Sequence, residues 1–345
     1  MTKKAKAKKE TQMKINNYQI KDFQTQNQQT LDINLVYATY GELNKNKDNA
    51  ILVVTSYSAT HEDAEDLFAK SDLIDLSDHC VIVINMLSNS TSSSPSNTPA
   101  PFDGPRFPLM TVNDNVRAQH QLITKELGID RLKLVMGFSM GGLQTFEWGA
   151  QHSDMVDAIL PICGAAKVSN HNWMFLEGVK SSLLADPNFK NGDYESRPEV
   201  GMQAFATVYG GWAFSQAFFR EELYKELGME KTEDVIGFMK DYFYRREAND
   251  LLGMLATWQS ADISRNSRFD GDFDKALQSI SARAIVMPGK TDLYFRVTDS
   301  EYEVSKMPNA ELRVIDSKMG HVAGSGMDPV GKAEIDRAII DLIGN

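Results

Sequence analysis

Several protein classes are excluded by what this chain lacks. Its 345 residues hold two cysteines, Cys80 and Cys163. Each adjoins an apolar strand-like run, Val81 to Ile84 and Ile159 to Ile162. Buried free thiols in a reducing, cytoplasmic setting are therefore expected rather than a disulfide framework or a cysteine metal site. No run of eighteen or more apolar residues occurs, which excludes a spanning helix and a membrane partner. Basic charge is in deficit, with 36 Lys and Arg against 47 Asp and Glu for a formal net charge of -11. Binding to nucleic acid through counterion release needs basic patches, so nucleic acid is not an expected partner. The lysine-rich start is followed by no apolar core, so residues 1–12 read as a disordered basic tail rather than a secretory signal. No internal repeat or heptad array is present.

With 42% hydrophobic residues, the chain can bury one large core, or a core with an inserted subdomain. Short β-rich runs recur between helical stretches: Leu31 to Tyr40, Ile51 to Val54, Val81 to Met86, Leu132 to Phe138, Ala158 to Cys163, Ala284 to Met287 and Leu312 to Ile315. Several are continuous rather than alternating, as in strands covered on both sides, which predicts an α/β fold with a mostly parallel sheet. A core is expected over residues 13–165 and 278–345. Residues 166–277, rich in Phe, Trp, Tyr and Met at helical spacing, are expected to form a helical lid. The Ser/Pro/Asn-rich stretch 88–108 reads as a long loop bordering a pocket.

The most informative segment is Leu132 to Gly142. An apolar run ends in Gly137-Phe138-Ser139-Met140-Gly141 and opens directly into a helical pattern. That context is a nucleophile elbow: Ser139 sits on a sharp strand-to-helix turn, and a Cβ at Gly137 or Gly141 would strike the facing chain. A serine hydroxyl needs a base, and the base an orienting carboxylate. Asp292 falls in the loop after Ala284 to Met287, and His321 in the loop after Leu312 to Ile315. The order Ser, Asp, His is that of the α/β-hydrolases. Asp316 is a rival acid, five residues before the base. His61, His79, His120, His152 and His171 lack a strand-end context and read as surface or capping groups. The run His61 to Asp66 resembles a metal cluster in composition without recurring ligand spacing, so no metal is expected. An oxyanion hole needs two backbone donors; the amides of Met140 and of Tyr57, in the loop after Ile51 to Val54, are the candidates.

Read together, these segments resemble the homoserine O-acetyltransferase family of α/β-hydrolases. The resemblance runs through Tyr37 to Asn44, Asp48 to Val53, Phe107-Pro108, Asp114 to Gln119, Gly137 to Gln144, Asp186 to Phe189, Gly192 to Tyr194 and the loop at Asp292. It implies an α/β-hydrolase fold with a helical lid, a homodimer, and a serine acetylated by acetyl-CoA before transfer to an amino-acid hydroxyl. It also implies the roles of Ser139, Asp292 and His321. The family's lid arginine, which pairs with the homoserine carboxylate, corresponds here to Ala206. The aspartate that follows the family's catalytic histidine corresponds to Val322. A zwitterion left without those partners would hold unpaired buried charges. What remains is an acetyl-sized site, with Ala206, Trp212 and Val322 as expected substrate-binding positions, suited to an ester with a small uncharged alcohol.

The expected activity is thus hydrolysis of short-chain acetyl esters without a cofactor. The alternative is an O-acetyltransferase using acetyl-CoA as donor. A non-catalytic binding protein is a third reading, which an intact triad disfavours.

Overall fold

The computed structural model describes residues 13–68 and 74–344; the expected basic tail at residues 1–12 lies outside them. Among the described residues, one sheet holds β1 (Lys14–Gln24), β2 (Thr30–Tyr40), β3 (Ala50–Val54), β4 (Cys80–Ile84), β5 (Leu134–Phe138), β6 (Ala158–Ile162), β7 (Arg283–Val286) and β8 (Ala310–Leu312), in the order β1-β2-β4-β3-β5-β6-β7-β8. β1, β2 and β4 pair antiparallel, and β4 through β8 pair parallel. Every residue of β3, β4 and β6 is buried. Their side chains alternate between two core layers. Ile51, Val53, Val81 and Val83 face one layer; Leu52, Val54, Ile82 and Ile84 face the other. Such strands need helices on both faces, which is why they read as unbroken Val/Ile/Leu runs.

The helices are α1 (His61–Phe68), α2 (Val112–Gln121), α3 (Met140–Gln151), α4 (Asn170–Leu184), α5 (Glu199–Ala213), α6 (Gln216–Arg220), α7 (Thr232–Tyr244), α8 (Ala248–Gln259), α9 (Phe273–Gln278), α10 (Val297–Lys306) and α11 (Pro329–Ile343). Helices α4 to α8 lie between β6 and β7 in the chain and form the helical insertion. The stretch after it returns to the core: Ile263, Phe269, Ala276 and Leu277 pack in the same layer as Leu52, Val54 and Ile82. The lid's own helices therefore end at Gln259, short of residue 277.

Three local features differ from the sequence expectation. The polar edge strand β1 was not anticipated, because its apolar residues are interleaved with Lys, Asn, Gln and Asp, and most of it is exposed. β8 lies at Ala310–Leu312 rather than Leu312 to Ile315; beyond it, Ile315 touches the sheet through a single bridge to Gly289. The 88–108 stretch begins as a buried polar plug. The Ser92 hydroxyl accepts from the Val36 amide at 3.0 Å and donates to Asn85 O at 2.8 Å. The Ser96 amide and hydroxyl donate to Asp250 of α8 at 2.9 and 2.5 Å. Small hydroxyl side chains suit this position because they can bond backbone groups of the same stretch, as Ser94 Oγ does in donating to Ser92 O at 2.6 Å.

Candidate active site

The turn from β5 into α3 holds Ser139 at φ 58° and ψ -120°, a strained conformation for a residue with a Cβ. The turn is tight enough to require both glycines: a Cβ on Gly137 would lie 2.5 Å from the Gly141 carbonyl carbon, and one on Gly141 2.5 Å from Val54 O. Ser139 N donates to Ile162 O at 2.9 Å, tying the turn to the neighbouring β6.

Asp292 follows β7 and His321 follows β8, and the two loops meet beside the elbow. His321 Nδ1 donates to Asp292 Oδ2 at 2.7 Å, and its Nε2 lies 2.9 Å from Ser139 Oγ. With a carboxylate at Nδ1, the imidazole carries its proton there and leaves Nε2 to accept from the serine hydroxyl. The carboxylate is itself fixed: Oδ1 accepts from the amides of Tyr294 at 2.7 Å and Phe295 at 3.2 Å. Asp316, the rival acid, is instead exposed and paired with Lys290 at 2.7 Å. The imidazole is packed among the rings of Phe138, Tyr294 and Phe295, with centroids 4.7, 4.6 and 5.7 Å away. Ser139, Asp292 and His321 are only 2%, 1% and 4% exposed, so almost all of the triad is screened from solvent.

Both candidate oxyanion donors sit at the same corner. As the first residue of α3, Met140 has an amide with no acceptor inside the helix. Tyr57 lies in the turn after β3, closed by an Ala59 N to Ser56 O hydrogen bond of 3.1 Å. In a trans peptide the N–H opposes the C=O, so holding Ser56 O inside the turn aims the Tyr57 amide out of it. Gln144 joins the two segments, its Nε2 donating to Thr55 O at 2.9 Å and to Met140 O at 3.2 Å. Sequence reasoning passed over Gln144; its signal was a glutamine on the inner face of a helix that is otherwise buried throughout. Cys163 was also missed as a neighbour of the site. Its buried sulfur, with Asp292 and His321, forms a group whose ligand atoms lie within 4.8 Å of one another. Burial, then the Asp292 charge, pushes its thiol well above the ordinary range, so it stays protonated and inert as a nucleophile.

The expected substrate-binding positions are not gathered around Ser139. Val322 adjoins His321 and packs against the core. Trp212 packs against His171 and Phe175, each with centroids 5.1 Å away, and reaches His321 only through Phe175 and Tyr294. Ala206 lines a separate cavity of about 190 Å³ between α5 and α7, with Gly210, Phe219, Val235 and Met239. Tyr209 of α5 does reach the rings around the site, lying 5.6 Å from those of both Tyr57 and Tyr294. Ala206 and Tyr209 are both buried on neighbouring parts of one helix face, and the sequence alone did not say which of them meets the Tyr57 ring.

Two further corrections concern the other histidines. His61, expected at the surface, is buried with Nδ1 3.0 Å from the Asn85 side chain. His120 and His152 stack on each other at 4.0 Å beside Trp148. Burial, and then the neighbouring imidazole, lowers His152 to about 4.

Comparison with known proteins places this geometry among relatives. Residues 51–324 match the family described by the alpha/beta hydrolase fold. An ethyl acetate hydrolase of Pseudomonas veronii is 38% identical over 313 residues, covering 90% of this chain and 89% of the relative. A homoserine O-acetyltransferase of Chlorobium chlorochromatii is 27% identical, covering 85% of each. The solved structure of the acetyl esterase MekB superposes with a TM-score of 0.93 at 36% identity, over 96% of this chain and 97% of that one.

Proposed function

This chain belongs to the alpha/beta hydrolase fold family, and on that premise we propose that it hydrolyses short-chain acetyl esters through an acyl-enzyme on Ser139. The observation that carries the reading is the unbroken hydrogen-bonded chain from Ser139 Oγ through His321 to Asp292. It is supported by the ethyl acetate hydrolase and acetyl esterase among the relatives.

The chemistry follows from the contacts. As Ser139 Oγ attacks the ester carbonyl, its proton passes to His321 Nε2, and Asp292 stabilises the imidazolium through Nδ1. The carbonyl oxygen, now negative, is received by the Met140 and Tyr57 amides. One such donor lowers the barrier by about 3 kcal/mol. His321 returns the proton to the departing alcohol, then activates water to release acetate. Every proton has a named carrier, so the scheme uses no metal or cofactor.

Transfer to an acceptor other than water would use the same residues, with acetyl-CoA as donor; the difference lies in what the site admits at deacylation. Hydrolysis is favoured because Val322, directly after His321, stands where the resemblance calls for the aspartate that holds an amino acid's amine. A cytoplasmic location fits the two free cysteines, and the resemblance favours a homodimer.

The test follows the acetyl group of p-nitrophenyl acetate in the presence of homoserine, with wild type and Ser139→Ala compared. Serine-dependent free acetate alone is the expected result. Substantial O-acetylhomoserine would make the protein a transferase, and turnover by Ser139→Ala close to wild type would overturn the serine mechanism.

A further inference from the structure

The turn that carries the Tyr57 amide is fastened to the lid more than to the sheet beneath it. The Tyr57 hydroxyl donates to Leu251 O in α8 at 2.9 Å, and the hydroxyls of Ser58 and Tyr242 of α7 lie 3.0 Å apart. The strongest tie comes from Arg246, in the connection between α7 and α8. Its Nε donates to Ser58 O, and its Nη2 donates to Asp63 Oδ2 at 2.9 Å. The Arg246 side chain is 11% exposed, which strengthens a charge-assisted contact relative to one in water. Asp63 Oδ2 also accepts from the Thr60 amide at 2.8 Å. One guanidinium thus clamps both ends of the segment from Ser58 to Asp63.

The clamped backbone is unusual in a second way. Ser58 has φ 57°, a left-handed conformation that a residue with a Cβ adopts only when its surroundings hold it there. The carbonyl that Arg246 grips belongs to this residue, directly after Tyr57, whose amide is the candidate second oxyanion donor. A small rotation at Ser58 would turn the Tyr57 amide, and electrostatic stabilisation of an oxyanion depends on such aim.

We propose that Arg246 is a positioning residue that couples seating of the lid to the oxyanion hole: with the α7–α8 connection docked, it locks the Ser56 to Ala59 turn with the Tyr57 amide aimed at the reacting carbonyl. The proposal rests on the serine-hydrolase reading above and extends it to the lid. Ser139 and His321 are only 2% and 4% exposed, and on this proposal substrate entry displaces the lid. The same displacement loosens the Arg246 grip, so the second oxyanion donor is withdrawn while the site is open and restored as it closes. Stabilisation of the transition state is thereby confined to the water-excluded, closed state.

The test compares wild type with Arg246→Met and Arg246→Lys. It measures kcat and KM for p-nitrophenyl acetate, and the affinity of an alkylboronic acid, whose tetrahedral adduct on Ser139 places an oxygen in the oxyanion hole. Arg246→Met keeps the aliphatic packing and removes both hydrogen bonds. It is expected to lower kcat roughly ten- to a hundredfold, with KM changed less than about twofold and boronate affinity reduced by the same factor as kcat. Arg246→Lys, able to reach Asp63 or Ser58 O but not to fork across both, should lie between the two. If the Met variant does not fold, the Lys variant carries the test by the same ratio of effects.

Wild-type kcat in a folded variant would overturn the proposal. So would a rise in KM at constant kcat, which would make Arg246 part of the substrate's path. An inactive Ser139→Ala beside a fully active Arg246→Met would reject the clamp and leave the hydrolase reading intact. A fully active Ser139→Ala would reject both.

Discussion

Replacing Asp292 with asparagine tests the site through a single proton. The side-chain amide has one accepting and one donating end, and the structure dictates which goes where. Oδ1 accepts from two backbone amides, Tyr294 N at 2.7 Å and Phe295 N at 3.2 Å, so the amide oxygen must take that place. The amide nitrogen is then left at the Oδ2 position, 2.7 Å from His321 Nδ1. A nitrogen that can only donate forces Nδ1 to accept, and the ring proton moves to Nε2. Nε2 then points a hydrogen at Ser139 Oγ and cannot take its proton.

The flipped amide, which would restore the working tautomer, sets its NH2 against two N–H groups. It loses two hydrogen bonds at about 1 to 3 kcal/mol each, so it is populated at a few per cent at most. Activity in Asp292→Asn should therefore fall at least about thirtyfold and up to about ten-thousandfold in kcat, or about 2 to 5 kcal/mol of barrier. The hydrogen-bond count around residue 292 is preserved, so the melting temperature should move little. Initial rates with p-nitrophenyl acetate, a fluorophosphonate labelling rate and a thermal melt on the same preparation make the assay. A folded Asp292→Asn retaining more than a tenth of wild-type kcat/KM would refute the tautomer argument, and with it the assignment of Asp292.

Other consequences can be checked by substitution or by pH. Glu303 is buried, accepts from the Ala166 amide at 2.7 Å and is raised from 4.5 to about 8 by that burial. Its stabilising contribution is complete below its unfolded value and lost as pH rises towards 8. Glu303→Gln should therefore melt near wild type at pH 5 and several degrees higher at pH 8, a gap on the order of 3 kcal/mol. Parallel pH dependence of the two proteins would show that the carboxyl ionises freely. His152 is shifted the other way, so its contribution is present above its ordinary value of 6.5 and lost as pH falls towards 4. His152→Phe should lose less stability than wild type in melts taken across that range, and an unchanged acid slope would contradict the shift. A Cβ on Gly331 would lie 1.8 Å from Ala323 O, so Gly331→Ala should push α11 off the His321 loop. We expect a cost of about 1 to 3 kcal/mol in stability and reduced kcat. Gly237→Ala, with nothing within 4 Å, should be neutral or mildly stabilising; equal effects of the two would discount the clash.

The residues that were legible in the sequence are those whose local geometry is fixed by a few neighbours. Gly137 and Gly141 mark the elbow because no other residue survives that approach, and a short unbroken run rich in Val and Ile between turn residues fits a strand covered on both faces. Asp292 and His321 were legible because parallel strands deliver their C-terminal loops to one edge, so position along the chain implies proximity. What the sequence did not reveal depends on distances between elements. Ala206 and Tyr209 lie on one helix less than a turn apart, yet only packing against α7 determines which of them faces Tyr57. His61 looks like a surface histidine until Asn85, 24 residues away, is found beside it.

Arg246 illustrates the limit most clearly. Among three arginines in the lid between Arg220 and Ala248, nothing local distinguishes it from its neighbour Arg245, whose guanidinium stands over the Tyr242 ring. The distinction is made by the turn it meets, 183 and 188 positions earlier in the chain. Chemistry that rests on a motif can be read in one dimension. The contacts that hold such a motif in register across an inserted domain exist only once the chain is folded, and they are where hydrolases with the same serine, histidine and aspartate can differ.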